Sequence, residues 1–330
     1  MANDKIELWF GKGTYKDISK LVQKIVVSGR KGAAPRTLQA TLMDSEGYKH
    51  ARAGINCGNG LTCVFFYGGK EVFRGLIMDD TTSSKRTLTI KAYDELVYMT
   101  NNKDSFTFNN KTASAIFRDL CSRLGLKVGL CANTGYVIPE ITKRGNSYWD
   151  VMEDALSQTY KAKGIRYYVS SSKGIVNLMR RTEASNVIVL EPDVNIDSYE
   201  RSRSIYDTRT RITLYTSKGE KKKEYINSAL EKKIGVFRDV ESVDSDVSAA
   251  EMKEIIQTFK EEKALVQRSL KITNAIGCID AVSGKSVYLR VPHLNETRIV
   301  YIDEDTHTFE NGAHKMTLKL NYAGNINLAG

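Results

Sequence analysis

The feature that most constrains this chain is a change of hydrophobic period: two along its first part, near 3.6 in the middle, and two again to the end. Residues 1–102 alternate apolar and polar over Ile6–Phe10, Val22–Ser28, Arg36–Leu42, Leu61–Tyr67, Glu71–Met78 and Arg86–Tyr93. That alternation is the pattern of strands with one face on a core. Turn signals such as Tyr67-Gly68-Gly69-Lys70 between them predict an all-β barrel or sandwich.

Residues 103–185 read differently. Thr112 can cap a helix whose apolar residues Ala113, Ile116, Phe117, Leu120 and Leu124 recur at three and four, with Gly125 at its end. Ser147 and Asp150 form a capping-box pair before the stripe Trp149, Met152, Leu156, and Gly164 closes that helix. Strand-like pieces at Leu126–Leu130, Ile165–Ser170 and Ile175–Arg180 complete a small α/β unit.

From Asn186 the period of two returns, in Asn186–Leu190, Thr210–Thr216, Val236–Val243, Gly277–Asp280, Ser286–Val291, Thr297–Asp303 and Lys315–Asn321. One helix interrupts it, from Ala249 to Leu270 behind the capping box Ser248/Glu251. Its stripe Met252, Ile255, Ile256, Phe259, Val266 is expected to cover a face of the second barrel. The two β regions echo each other: Met78-Asp79-Asp80-Thr81 before Thr87–Tyr93 is like Ile302–Thr306 before Thr317–Tyr322. The expected fold is therefore α+β and β-rich. Two related β-barrel domains (1–102 and 186–330, the second including helix 249–270) flank an α/β insertion (103–185), as two similar barrels rather than one continuous sheet.

Composition supports a folded chain of 330 residues, with 41% hydrophobic and 27% charged side chains. The apolar runs Leu61–Phe66 and Val187–Leu190 are far shorter than the ~20 residues of a membrane helix. The charged N-terminus lacks the apolar stretch of a signal peptide, so neither membrane insertion nor secretion by that route is expected. Prolines occur only at Pro35, Pro139, Pro192 and Pro292 and no Gly/Ser-rich tether separates the units. The net charge of +10 admits sequence-independent nucleic-acid binding as the alternative function, although the one dense basic cluster, Lys218–Lys223, reads as a solvated hairpin tip. Cys57, Cys63, Cys121, Cys131 and Cys278 form an odd set without a Cys-x-x-Cys pair and are expected as free thiols.

Catalytic patterns are lacking. Ser283-Gly284-Lys285-Ser286 resembles the end of a phosphate loop, but that motif would need glycine at Ile279 and a following helix; Phe10–Thr14 reads as a turn. Neighbouring carboxylates such as Glu153 and Asp154 select no acid/base pair. His307 and His314, with Asp303 and Asp305 upstream, suggest a metal site. A hairpin-tip location, with His314 across the Glu310-Asn311-Gly312 turn from His307, is the expectation. No catalytic, metal or cofactor-binding residue is assigned, and no cofactor is expected.

Several segments, in order along nearly the whole chain, resemble the phage late control D-like family, the baseplate or tail-hub proteins of contractile-tailed phages and defective prophages. They are Gly32–Leu42; Val72–Ile77 with Leu88–Asp94; Lys111–Ile116 with Gly125-Leu126; Tyr148-Trp149-Asp150; and the last hairpin, Asp305–Leu320. The resemblance implies a structural protein rather than an enzyme. It implies a homotrimer whose six barrels match a hexameric tail tube protein and join it to the central spike protein, beside other baseplate components. An axial passage would carry DNA in a true phage, and not in a tailocin. Such a protein would assemble in the bacterial cytoplasm, enter the particle's tail and leave by lysis. Some hubs carry a fused lysozyme or peptidase; with Gly330 just past the last hairpin, none is expected here.

Overall fold

A computed structural model describes residues 5–43, 58–181 and 188–321. The first β region supplies β1 (Ile6–Lys12), β2 (Thr14–Asp17), β3 (Val22–Arg30), β4 (Ala33–Met43), β5 (Thr62–Tyr67), β6 (Lys70–Ser83) and β7 (Thr87–Tyr93). Alternation sets their faces: along β4, Leu38, Ala40 and Leu42 are buried, and they share a core with Leu8, Ile25, Phe65, Ile77 and Ile90. The chain then forms α1 (Val97–Asn101), β8 (Lys103–Thr112), α2 (Ala113–Arg123), β9 (Val128–Cys131), β10 (Val137–Ser147), α3 (Tyr148–Lys163), β11 (Tyr167–Ser172) and β12 (Ile175–Arg180). Helices α2 and α3 pack Ile116, Phe117, Leu120, Val151 and Met152 against Phe106, Ile141, Val176 and Leu178 in a second core. Thr112 accepts the Ala115 N–H, Ser147 and Asp150 form the capping box, and Gly164 ends α3 in the left-handed region.

The last part contains β13 (Ile188–Leu190), β14 (Ser198–Ser204), β15 (Arg211–Thr216), β16 (Lys221–Ile226), α4 (Ser228–Ile234), β17 (Arg238–Val243), α5 (Ala249–Glu262), β18 (Gln267–Ile276), β19 (Ser286–Val291), β20 (Glu296–Glu310) and β21 (Ala313–Asn321). Here the architecture departs from the sequence expectation. Strands β16-β15-β17 form a separate sheet on which α5 packs Ile256 and Phe259 against Ile212, Leu214 and Val243. The helix therefore serves its own small core and does not cover the barrel. It stops at Glu262 rather than Leu270, because Gln267–Ile276 is claimed by strand pairing that buries Leu270 and Ile272. Gly277–Asp280 is a turn, not a strand, and Asn186 and Val187 lie outside the described residues.

The two β regions are repeats at the level of register. In β6–β7, Ile77 faces Ala92, a bulge follows, and Asp79 faces Lys91; in β20–β21, Ile302 faces Leu320, a bulge follows, and Glu304 faces Lys319. The match extends across the sheet. Cys63–Gly75 corresponds to Val287–Val300, Leu38–Ala92 to Leu270–Leu320, and Val27–Leu38 to Arg201–Leu270. Thus β3-β4-β7-β6-β5 and β14-β18-β21-β20-β19 are one pattern used twice. Even a surface hydroxyl pair recurs: Ser28 with Thr37 at 2.9 Å, and Ser202 with Ser269 at 2.7 Å.

The repeats are not hydrogen-bonded apart. Residues 304–310 of β20 pair antiparallel with residues 24–30 of β3, making one 13-stranded sheet from β14 to β2. This differs from the expectation of two barrels without a continuous sheet. The reason is physical: two exposed sheet edges satisfy each other's backbone groups when joined. Each repeat keeps its own apolar core on its side of that joint.

Candidate functional site

The most organised polar site lies at the joint. Asp305, on the β20 face that turns inward, is 2% exposed. Arg36 of β4 reaches it with Nη1–Oδ1 at 2.8 Å and Nη2–Oδ2 at 2.6 Å. The Ser283 backbone N–H donates to Oδ1 at 2.6 Å. Gly29, directly opposite Asp305, has no side chain because a Cβ there would collide with the Arg36 guanidinium. Burial alone would raise the Asp305 pKa, but Arg36, His307 and the Ser283 N–H together hold it below the ordinary carboxylate range.

His307 and His314 lie on the two arms of the β20–β21 hairpin, as expected, but His307 is 2% exposed and the two rings converge. His307 Nε2 lies 3.0 Å from the Ala281 carbonyl and its Nδ1 3.0 Å from His314 Nε2. A carbonyl can only accept, so His307 carries its proton on Nε2 and His314 donates from its own Nε2. That assignment leaves His314 Nδ1 buried without a hydrogen-bond partner among the described residues. The two imidazoles thus converge across the hairpin turn, where Phe309 stacks on His314 with ring centroids 4.1 Å apart. Burial, then the neighbouring His307, pushes the His314 pKa down to about 3, and burial lowers that of His307. Both rings are neutral wedges between the cores. Among the described residues no group of three or more His, Cys, Asp and Glu could hold a metal ion.

A cavity of about 260 Å³ opens beside the joint, where Arg30–Ala33, α3, β11 and Ser283-Gly284 meet. Its walls carry Lys31, Arg166, Tyr160 and Glu153. Arg166 stacks on Tyr160 and pairs with Glu262, tying the α/β insertion to α5. Burial, with Arg166 and Arg181 nearby, lowers Lys31 to about 8. The Ser283–Ser286 segment accordingly serves the joint: Ser283 contacts Arg36 and Asp305, and exposed Lys285 lies 3.7 Å from Asp280.

The remaining sequence candidates disperse. Ser217–Glu220 is the β15–β16 turn, with Lys218 exposed and Lys221 and Lys222 paired to Glu224 and Glu220. Asp154 pairs with Lys143 while Glu153 faces the cavity. Cys63 and Cys121 are buried, Cys131 and Cys278 are half-buried, and Cys57 lies outside the described residues. No helix among the described residues is long and apolar enough to cross a membrane. Sequence reasoning missed Arg36 and Asp305 as partners, although both stand in segments that carry the family resemblance.

Residues 25–321 match the YQBQ-like family. The chain belongs to that family. It is 32% identical over 316 residues to the phage-like element PBSX protein XkdQ of Bacillus subtilis (strain 168), covering 95% of this chain and 96% of that protein. Among solved structures, the fold is that of the 43 kDa tail protein of prophage MuSo2 from Shewanella oneidensis, with a TM-score of 0.72 at 15% identity over 96% of this chain and 98% of the other. It is also similar to the E. coli c3393 protein, a component of the type VI secretion system described as structurally similar to T4 tail proteins gp27 and gp5. There the TM-score is 0.57 at 11% identity, over 94% of this chain and 77% of that one. This YQBQ-like protein thus has the fold of phage tail proteins, with the Arg36–Asp305 joint at its centre.

Proposed function

We propose that this YQBQ-like protein is a structural, non-enzymatic component of a phage-like tail: the baseplate hub that joins a hexameric tube to a trimeric spike. The register-matched repeat carries this reading, because two copies of one β pattern per chain let three chains present six similar surfaces. Symmetry matching between a threefold and a sixfold neighbour is then the function. Family membership and the likeness to tail-protein folds support it.

In this reading residues 1–102 and 186–330 are the tube-like domains and residues 103–185 the insertion between them, with a further α/β insertion around β15–α5. Partners are two further copies of the chain, the tube protein, the spike protein and other baseplate components, around an axial passage that DNA would traverse in a true phage. The protein would be assembled in the bacterial cytoplasm and released within the particle. Imaging the particle along its axis tests the reading. Three copies of this chain in the ring are expected; six copies, or one, overturn it.

A further inference from the structure

The joint between the repeats inside the chain has an unmade counterpart at the two ends of the repeat pattern. In the first repeat, β3 is held by β20 of the second. By register, β14 occupies the place of β3, and it is the terminal strand of the sheet. Residues 79–83 of β6 occupy the place of 304–308 of β20. Among the described residues, β6 on that stretch pairs only with β7, since β5 ends opposite Leu76, and residues 78–82 are exposed. One unpaired edge of each type therefore remains among the described residues.

We infer that residues 78–83 of one copy pair antiparallel with residues 200–205 of the next, repeating the β20–β3 joint between subunits and drawing Asp80 to the Arg268 guanidinium. This deepens the hub reading and rests on it. Carrying the register over sets Asp80 opposite Arg203 and Thr81 opposite Ser202, as Asp305 lies opposite Gly29 and Thr306 opposite Ser28. Arg268 stands on β18 where Arg36 stands on β4, and Asp80 stands where Asp305 does, so an acid and a base recur; Arg203 takes the place of Gly29, so Asp80 meets two guanidiniums rather than repeating the two-pronged internal pair.

The side chains suit that partner in charge. Arg201, Arg203, Arg268 and Arg298 line a concave site of about 290 Å³ whose one carboxylate is Glu296, 3.0 Å from Arg298. Arg203 faces Arg268 directly across β14–β18, a like-charge cross-strand pair that disfavours the isolated chain. Asp79 and Asp80 supply two negative charges on the opposing edge; both are exposed, and Asp80 has no polar partner among the described residues. The next step of the register agrees. Inside the chain the Lys31 N–H donates to the Asp303 carbonyl at 2.7 Å. The corresponding residues are Ile205 and Met78, apolar side chains that are 45% and 37% exposed and would cover each other. A contact of one edge type with the other is head-to-tail and can close a ring, as a self-complementary contact cannot beyond a dimer.

Cysteine pairing in assembled particles tests this. Thr81→Cys with Ser202→Cys in one chain should give, after oxidation, a ladder of covalent dimer and trimer on denaturing gels. Ser28→Cys with Thr306→Cys, the same pair at the internal joint, should give none. Independently, Asp80→Arg should lower incorporation into particles about tenfold or more with an unchanged melting temperature, and adding Arg268→Asp should restore it. Threefold rings without the ladder, or wild-type incorporation of Asp80→Arg, overturn the interface and leave the hub reading standing. A ladder in rings that do not hold three copies supports the interface and overturns the hub reading.

Discussion

Arg36 and Asp305, 269 residues apart, meet in a two-pronged ion pair that spans the joint between the repeats. The carboxylate is buried and its oxygens are claimed by Arg36 and Ser283, so removing its charge strands a guanidinium inside the joint. Asp305→Asn is expected to destabilise the chain by about 3–5 kcal/mol, the range for breaking one half of a buried pair. Equilibrium urea unfolding measures it. A loss of less than about 1 kcal/mol, the size of a surface pair, would show that the joint does not depend on this contact.

Acid should loosen the same region. His314 is neutral in the fold, its pKa pushed down to about 3, whereas in the unfolded chain it takes up a proton near the ordinary value of 6.5. Between those values the unfolded state binds more protons, so stability falls as pH drops from about 6.5 toward 3. Asp305, whose pKa is lowered, contributes in the same direction at still lower pH. His314→Gln can still donate to His307 Nδ1 and does not titrate. Its melting temperature should therefore fall less than that of the natural chain between about pH 7 and pH 4.5. Equal falls in both proteins would remove His314 from the account.

Asp94 should act with the opposite sign. Its Oδ1 accepts the Leu96 N–H at 3.0 Å, holding the turn into α1, while Oδ2 is buried without a hydrogen-bond partner among the described residues. Burial pushes its pKa up to about 7 despite that N–H and the Arg36 charge. A raised acid gives stability that is complete below the unfolded pKa near 4 and is lost as pH rises through 7. Asp94→Asn keeps the Oδ1 acceptor and removes the ionisation. It should melt higher than the natural chain at about pH 8.5, with the gap smaller at about pH 5. Parallel melting curves at both pH values would contradict the assignment.

Most strands of the first repeat, both capping boxes and the repeat were legible because each is written in local pattern: alternation, Ser-x-x-acid spacing, and the echo of Met78–Thr81 in Ile302–Thr306; β8, β10, β14, β16 and β18 were not. Membership was not legible either. β15 and β17 alternate like barrel strands, and period alone does not say which sheet they join, nor that α5 packs on that sheet rather than on the barrel. The hairpin of the two histidines is legible in the Glu310-Asn311-Gly312 turn, but their burial and convergence are not, because β20 runs 15 residues through the joint and the hairpin end packs against Tyr67 of the first repeat. Arg36 and Asp305 carried no signal as a pair; only the register that brings β3 and β20 together makes them neighbours.

Gly75 offers a test inside the repeat itself. It stands opposite Cys63 in β6, and the corresponding residue of β20 is Val300, opposite Val287. The second repeat thus buries a branched side chain where the first has none. In the first repeat a Cβ at position 75 would run into the backbone carbonyl of Tyr93, which cannot give without drawing β7 away from β4 and β6. Gly75→Ala is therefore expected to destabilise by about 1–3 kcal/mol through overpacking, although alanine suits a strand better than glycine. Val300→Ala should also destabilise, by about 2 kcal/mol, but through lost burial and a cavity. The two mechanisms separate on structure: Gly75→Ala should shift the Tyr93 amide and its β4 partner Thr37 in an NMR spectrum, while Val300→Ala should leave those two in place. A neutral or stabilising Gly75→Ala would mean that β6 and β7 can part without loss, and that the close approach at Tyr93 is not what keeps glycine there.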